Sequence, residues 1–316
     1  MTDFSATFET RLLESARAGT GIAAAAASPG DALTETLAAG GKRIRAGLAV
    51  HFGLLTGADA RAIDELAMAV EFLHAATLVH DDVIDNAETR RGRSALHRDH
   101  GVEVALLVGD LYVARCGAHL ANTGQPRVAA ELWGALDTIV RGELDQRGRR
   151  FDLEQSADDY LATIRRKTAS LVEAVSASAV ILGGGTDDLV ETARQYARHL
   201  GIAFQVVDDV LDYQGSAEEM GKPVGNDIRE GTVTLPLILA LELSPAPLRV
   251  IVASARERDD FSAVVQGVRR SGSLERCHAL AADHSAAAVA ALAPFPDGPD
   301  RQALASLAEG LLARRA

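Results

Sequence analysis

Apolar positions along the chain recur at helical spacing far more often than they alternate. Between Ala67 and Asp85, residues His74, Leu78, Asp81 and Asp85 follow at intervals of four, three and four, a single stripe of a helix. The apolar run LHAATLV leads into Asp81-Asp82-Val83-Ile84-Asp85, and GIAFQVV leads into Asp208-Asp209-Val210-Leu211-Asp212. The second pattern predicts a helix from about Glu191 to Tyr213. Prolines stand only at 29, 126, 223, 236, 245, 247, 294, 296 and 299, leaving long proline-free tracts on either side of Pro126. Since an interior proline costs a helix about 3 kcal/mol, this spacing permits long helices. The tracts are rich in Ala, Leu, Glu and Arg, and few Val/Ile/Thr/Tyr runs suggest strands. The expectation is an all-α bundle in one domain over residues 1–316, because no stretch reads as a linker. Residues 214–233, QGSAEEMGKPVGNDIREGTV, are polar and glycine-dotted and predict a loop of lid type. APFPDGPD precedes a last helix expected to begin near Arg301, and Ala23–Ala27 reads as helix filler.

Composition narrows this picture. The chain is 47% hydrophobic, yet no apolar run reaches the roughly 18 residues of a spanning helix. MTDFSATFET lacks the basic-then-apolar layout of a secretory signal, so the expected location is the cytoplasm, with no transmembrane segment. Cys116 and Cys277 have no metal or redox spacing and read as buried thiols. A net charge of −12 argues against a nucleic-acid surface. An acidic protein that handles phosphates needs metal ions and a local group of cations, so the features to seek are carboxylate clusters and Lys/Arg clusters, and the sequence has both.

Three carboxylates on one helical turn repel each other. Mg²⁺ offsets that, since it takes oxygen ligands and binds through one or two carboxylates together with substrate phosphates. The DDxxD spacing occurs twice, each time at the end of an apolar helix, so two facing helices could clamp a metal-bridged diphosphate. The cations form separate spots: Gly41-Lys42-Arg43-Ile44-Arg45, Arg90-Arg91-Gly92-Arg93, Lys167-Thr168 and Gly221-Lys222. Arginine suits bidentate phosphate contact, and this many spots suit two diphosphates, one on metals and one on Lys and Arg. Phe204-Gln205 precedes Asp208 by a turn, where an amide dipole could steady a carbocation. His80, Trp133 and Tyr160 read as packing residues.

The segments GGKRIRA, FLHAATLVHDDVIDNAETRRG, LLVGDLY, GELDQ, IRRKTASL, GIAFQVVDDVLDY and GKPVGNDIREGTVTLPLI together resemble the trans-isoprenyl diphosphate synthases, or polyprenyl synthetases, over nearly the whole chain. The resemblance implies mostly antiparallel helices around a deep central cavity, usually in a homodimer. It implies that Asp81, Asp82 and Asp85, with Asp208, Asp209 and Asp212, hold about three Mg²⁺ against an allylic diphosphate such as geranyl, farnesyl or geranylgeranyl diphosphate. Arg90, Lys167 and Lys222 would contact the same diphosphate. Gly41, Lys42, Arg43, Arg45, His74 and Arg91 would form the pocket for isopentenyl diphosphate, Gly41 and Arg43 by shaping it. Thr168 and Gln205 would steady the developing cation. The implied reaction is successive head-to-tail condensation to a polyprenyl diphosphate.

Two positions depart from the family pattern. Ala46 replaces a common proline, and Thr232 stands where the family usually has lysine, which shifts the expected diphosphate contact onto Lys222. In the family the product grows down the helix of the first aspartate cluster, and bulky residues one turn earlier act as its floor. Ala76 and Thr77 leave that turn open, so the expected product has about thirty carbons or more. The alternatives are a geranylgeranyl diphosphate synthase or, less in keeping with the intact aspartates, a non-catalytic subunit of a heteromeric synthase. A terpene cyclase would lack the Gly-Gly-Lys-Arg pocket.

Overall fold

The computed structural model describes residues 2–18, 29–215 and 224–313. It is built from α-helices, as the periodicity requires: α1 Thr2–Arg17, α2 Pro29–Ala38, α3 Ile44–Thr56, α4 Ala60–Ile84, α5 Leu96–His100, α6 Val102–Asn122, α7 Pro126–Gly148 and α8 Ala157–Ile164. A π-helical turn, Arg165–Ala169, joins α8 to α9 Ser170–Leu182, and α10 runs over Asp187–Gln214. Six further helices follow: α11 Asn226–Arg229, α12 Leu235–Leu243, α13 Pro245–Arg258, α14 Ser262–Arg270, α15 Ser273–Ala291 and α16 Pro299–Gly310. Lys222 and Ala23–Ala27 lie outside the described residues.

Local chemistry sets the two helices that carry the aspartates. Asp59 caps α4, its carboxylate accepting from the N–H groups of Arg61 (3.0 Å) and Ala62 (3.1 Å). Thr186 caps α10 through Leu189 N–H at 3.3 Å, and Asp187 and Asp188 in the first turn suit the positive end of the helix. That cap starts α10 four residues before the sequence-based expectation. At the other end Arg269 donates to the carbonyls of Tyr213 (2.6 Å) and Gly215 (3.2 Å), which the helix leaves without partners. Pro126 and Pro299 sit in the first turns of α7 and α16, where no N–H is needed.

Two apolar clusters make the core. The larger gathers α3, α4, α6 and α9 with the first half of α10, and Phe52 meets Tyr196 and Phe295 edge-on at 5.4 and 5.3 Å. The smaller holds the second half of α10 with α12 and α14. α10 belongs to both, with Tyr196 and Leu200 in one and Val206 and Tyr213 in the other. Cys116 and Cys277 are buried and free, one in each cluster.

By length and composition α6 could cross a membrane. It nevertheless carries Glu103, Asp110 and Arg115, and it buries Val108, Tyr112, Cys116 and Leu120 while packing on α4. Gly109 permits that packing, because a Cβ there would collide with the imidazole of His80. Trp133 departs from the packing reading in part: it crosses Gly117, but 37% of it stays exposed.

Candidate active site

The first aspartate cluster closes α4, and each of its carboxylates has a different environment. Asp82 is buried and held by Arg90, whose Nε lies 2.9 and 3.2 Å from its two oxygens. Asp85 accepts from Arg147 at 2.7 Å. Asp81 has its carboxyl pushed up to about 6, first by burial and then by Glu143 and Asp85, against the pull of Lys167. The residues after the cluster fold into a hairpin, Thr89–Arg90 against Arg93–Ser94, turned by Arg91 (φ 53°) and Gly92 (φ 74°). Two positive φ values match the twist of a tight hairpin. The turn directs Arg90 to Asp82 and Arg91 back to the carbonyl of Gly40.

α7 supplies a second row that sequence reasoning missed. Glu143 pairs with Lys167 at 2.6 Å, Gln146 accepts from Lys167 at 2.9 Å, and Arg147 reaches Asp85. The spacing of Glu143, Gln146 and Arg147, three and four residues on one helical face, was the available signal. α7 comes this close because Gly142 has no side chain: a Cβ there would stand 3.2 Å from Arg166 Cβ. The π-turn inserts one extra residue before α9, a distortion common at functional sites, and it holds Lys167 and Thr168 at the wall of a cavity.

In the second cluster Asp208 is exposed whereas Asp209 and Asp212 are buried. Asp212 accepts from the N–H groups of Asn226 (3.3 Å) and Asp227 (3.2 Å), tying α10 to the segment after the loop. Asp209 accepts from the Tyr160 hydroxyl and from Gln205 Nε2 at 2.7 Å, and Gln205 Oε1 accepts from Thr168 at 2.9 Å. Burial, then the nearby Asp209 charge, pushes the Tyr160 phenol well above its ordinary range, so it stays a donor. Tyr160 therefore belongs to the site and not only to packing. Lys167, Thr168, Gln205, Asp85 and Asp209 line one cavity of about 260 Å³.

The Gly-Gly-Lys-Arg segment gathers a separate group of cations. Gly40 and Gly41 (φ 70° and 148°) make a bend that a side chain would strain, and a Cβ on Gly41 would press Arg91 Nη1 at 3.1 Å. Arg43 is engaged by Glu9 (2.6 Å), Glu71 (2.9 Å) and the carbonyl of Leu37, so it shapes this group and presents no free fork to a ligand. Glu71 is buried and also accepts from Ala46 N–H at 3.3 Å, a bond that a proline at 46 could not make. Burial, then the charges of Arg45, Arg91, Arg43 and Arg90, holds His74 well below its ordinary value. Burial and Arg91 likewise lower Arg45, whose Nε is buried without a hydrogen-bond partner among the described residues. Glu71 offsets part of this charge, and cations crowded beside an orphaned donor suit a further anion. Lys42 is exposed at the rim. Arg45 and Thr168 line a smaller cavity of about 40 Å³ with Phe204, so Thr168 borders both spaces.

Among the described residues no three acidic, His or Cys side chains converge to hold a cation unaided. Mg²⁺ still fits the donor set, since it retains water and needs only one or two carboxylates beside phosphate oxygens. Asp81 and Asp209, both raised chiefly by burial and further by acidic neighbours, are carboxylates whose ionised form such an ion would relieve.

An all-helical chain with carboxylates and cations around one cavity, and a second group of cations at Arg43, Arg45 and Arg91, has the groups to bind phosphorylated substrates. The Polyprenyl synthetase family model matches residues 30–268, and the chain belongs to that family of prenyl-transferring enzymes. It is 35% identical over 273 residues to octaprenyl diphosphate synthase of Escherichia coli, covering 85% of this chain and 84% of the relative. It is also 35% identical over 289 residues to solanesyl-diphosphate synthase 2, chloroplastic, of Oryza sativa subsp. japonica, covering 90% and 72%. Polyprenyl synthase of Caulobacter crescentus, solved with calcium and isoprenyl diphosphate, superimposes with a TM-score of 0.90 at 37% identity, covering 100% of this chain and 96% of that one.

Proposed function

We propose that this chain condenses an allylic diphosphate with isopentenyl diphosphate in successive head-to-tail steps, giving a polyprenyl diphosphate of about thirty carbons or more. The observation that carries the reading is the position of Thr168, which borders both the carboxylate cavity and the space reached by Arg45. Asp81, Asp82 and Asp85, with Asp208, Asp209 and Asp212, are the residues that would hold Mg²⁺. When bound, Mg²⁺ neutralises charge developing on the leaving diphosphate.

The chain's own groups do the rest. Lys167, Arg90 and Lys222 draw the allylic diphosphate into place, and the C–O bond breaks with its electron pair on the diphosphate oxygen. Thr168 and Gln205 turn their oxygens toward the allylic cation, fixed through Asp209 and Tyr160. Arg45, His74, Arg91 and Lys42 hold isopentenyl diphosphate, whose double bond attacks the cation. A proton then leaves to the departing diphosphate, and the new allylic chain is five carbons longer. Apolar walls such as Phe204 and Val172 keep water away.

The chain functions as one domain and as a homodimer in the cytoplasm. Support for dimerisation comes from α6 and α7, which pack together and expose Leu106, Leu107, Val140 and Leu144.

Incubation of the purified chain with Mg²⁺, isopentenyl diphosphate and allylic primers of several lengths, followed by sizing of the products, tests the reading. A ladder ending at about thirty carbons or beyond is expected. Products that stop at twenty carbons would make it a geranylgeranyl diphosphate synthase, and no product with any primer would overturn the enzyme assignment.

A further inference from the structure

The cavity beside the aspartates contains more cations than its ion pairs use. Lys167 is bound to Glu143, Arg147 to Asp85, and Arg149 to Asp159 at 3.2 Å. Arg150 also lines this cavity, and among the described residues its guanidinium meets no carboxylate. Instead Nε donates to the carbonyl of Glu230 at 2.7 Å, and one Nη donates to the same oxygen. The next residue, Phe151 (φ 57°), donates its N–H to the carbonyl of Gly231 at 2.8 Å, and its ring lies 4.1 Å beneath Arg256. Gly231 is required here, since a Cβ would stand 2.8 Å from the Phe151 ring and 3.1 Å from Arg150 Nε. Two successive residues after α7 are thus docked on two successive residues before Thr232.

The wall that this docking completes, Glu230 to Thr234, lines the cavity without a cation of its own. The free edge of the Arg150 fork is the positive charge delivered to it. A guanidinium keeps donors in one plane after two are spent on a carbonyl, a geometry that suits phosphate oxygens.

We propose that Arg150 is a substrate-binding residue that contacts the diphosphate of the allylic substrate from the Thr232 side of the cavity. The inference rests on the reading of this cavity as the allylic diphosphate site. It concerns a cation that lies outside the aspartate clusters and outside the Lys167-Thr168 and Gly221-Lys222 segments.

The test is steady-state kinetics of Arg150→Ala, Thr232→Lys and the double variant, with inhibition by inorganic pyrophosphate in Mg²⁺ and thermal unfolding as parallel readouts. Loss of one charge-assisted contact is expected to raise KM for the allylic diphosphate and Ki for pyrophosphate by about tenfold to a hundredfold. KM for isopentenyl diphosphate should stay unchanged, and Tm should fall only by the few degrees that loss of the bonds to the Glu230 carbonyl costs. Thr232→Lys should restore most of the loss in the Arg150→Ala background. Unaltered allylic KM in Arg150→Ala, an equal rise in both KM values, or a fall in Tm well beyond those few degrees would each overturn the proposal while leaving the site reading in place. A parent chain that elongates no primer would remove that reading and this proposal with it.

Discussion

Asp81→Asn is expected to lower kcat by about 10²–10³-fold or more, the scale on which loss of one preorganised electrostatic group slows an enzyme. The substitution is isosteric, so the effect isolates the charge. Its influence on stability has the opposite sign. The folded Asp81 carboxyl is raised to about 6 by burial beside Glu143 and Asp85. A carboxyl with a raised folded pKa favours the fold fully below its unfolded value, near pH 4, and that contribution is lost as pH rises through about 6. At pH 7 without divalent cation the ionised group therefore strains the fold, and the asparagine variant should melt no lower than the parent. Rate measurements beside thermal unfolding at pH 5 and 7 check both parts. A kcat within tenfold of the parent would remove Asp81 from the site.

Ala76→Phe is expected to shorten the product by several five-carbon units. Ala76 is buried in the larger apolar cluster on the helix that ends at Asp81, and Thr77 beside it turns its hydroxyl back to the His74 carbonyl at 2.8 Å. A phenyl ring forced into a filled core costs about 1–3 kcal/mol and would lower Tm. A ring entering the path of a growing chain changes the length of the product instead. Sizing the products of the variant alongside its Tm separates these cases, and an unchanged product length would place the floor elsewhere.

The features legible in the sequence were those that act through local spacing. The DDxxD clusters, the helices bearing them and the proline-started helices all follow from neighbours within a turn. The boundaries moved where a cap lay upstream, as Thr186 shows for α10. The pairings were hidden because they join residues far apart. Arg90 closes on Asp82 only because Arg91 and Gly92 turn a hairpin, and Arg43 is spent on Glu9 and Glu71 from two other helices. Tyr160 looked like packing because its partner, Asp209, is 49 positions away. The local signal beside it was the Ser156–Asp159 capping box, which begins the helix that carries Tyr160. Glu143, Gln146 and Arg147 gave a one-face pattern with no chemistry attached until Lys167 and Asp85 stood opposite.

In the proposed function two diphosphates bind by different means, one through carboxylates and metal, the other through cations alone. Calorimetric titration with isopentenyl diphosphate, and separately with a thiolo analogue of farnesyl diphosphate that does not ionise, tests it in Mg²⁺ and in EDTA. The analogue should bind in Mg²⁺ and lose at least about a hundredfold in affinity in EDTA, a loss worth about 2.7 kcal/mol. Isopentenyl diphosphate should bind in both, with one equivalent per chain and no competition from the analogue. Equal binding of both ligands without metal, or competition between them for one site, would contradict the account.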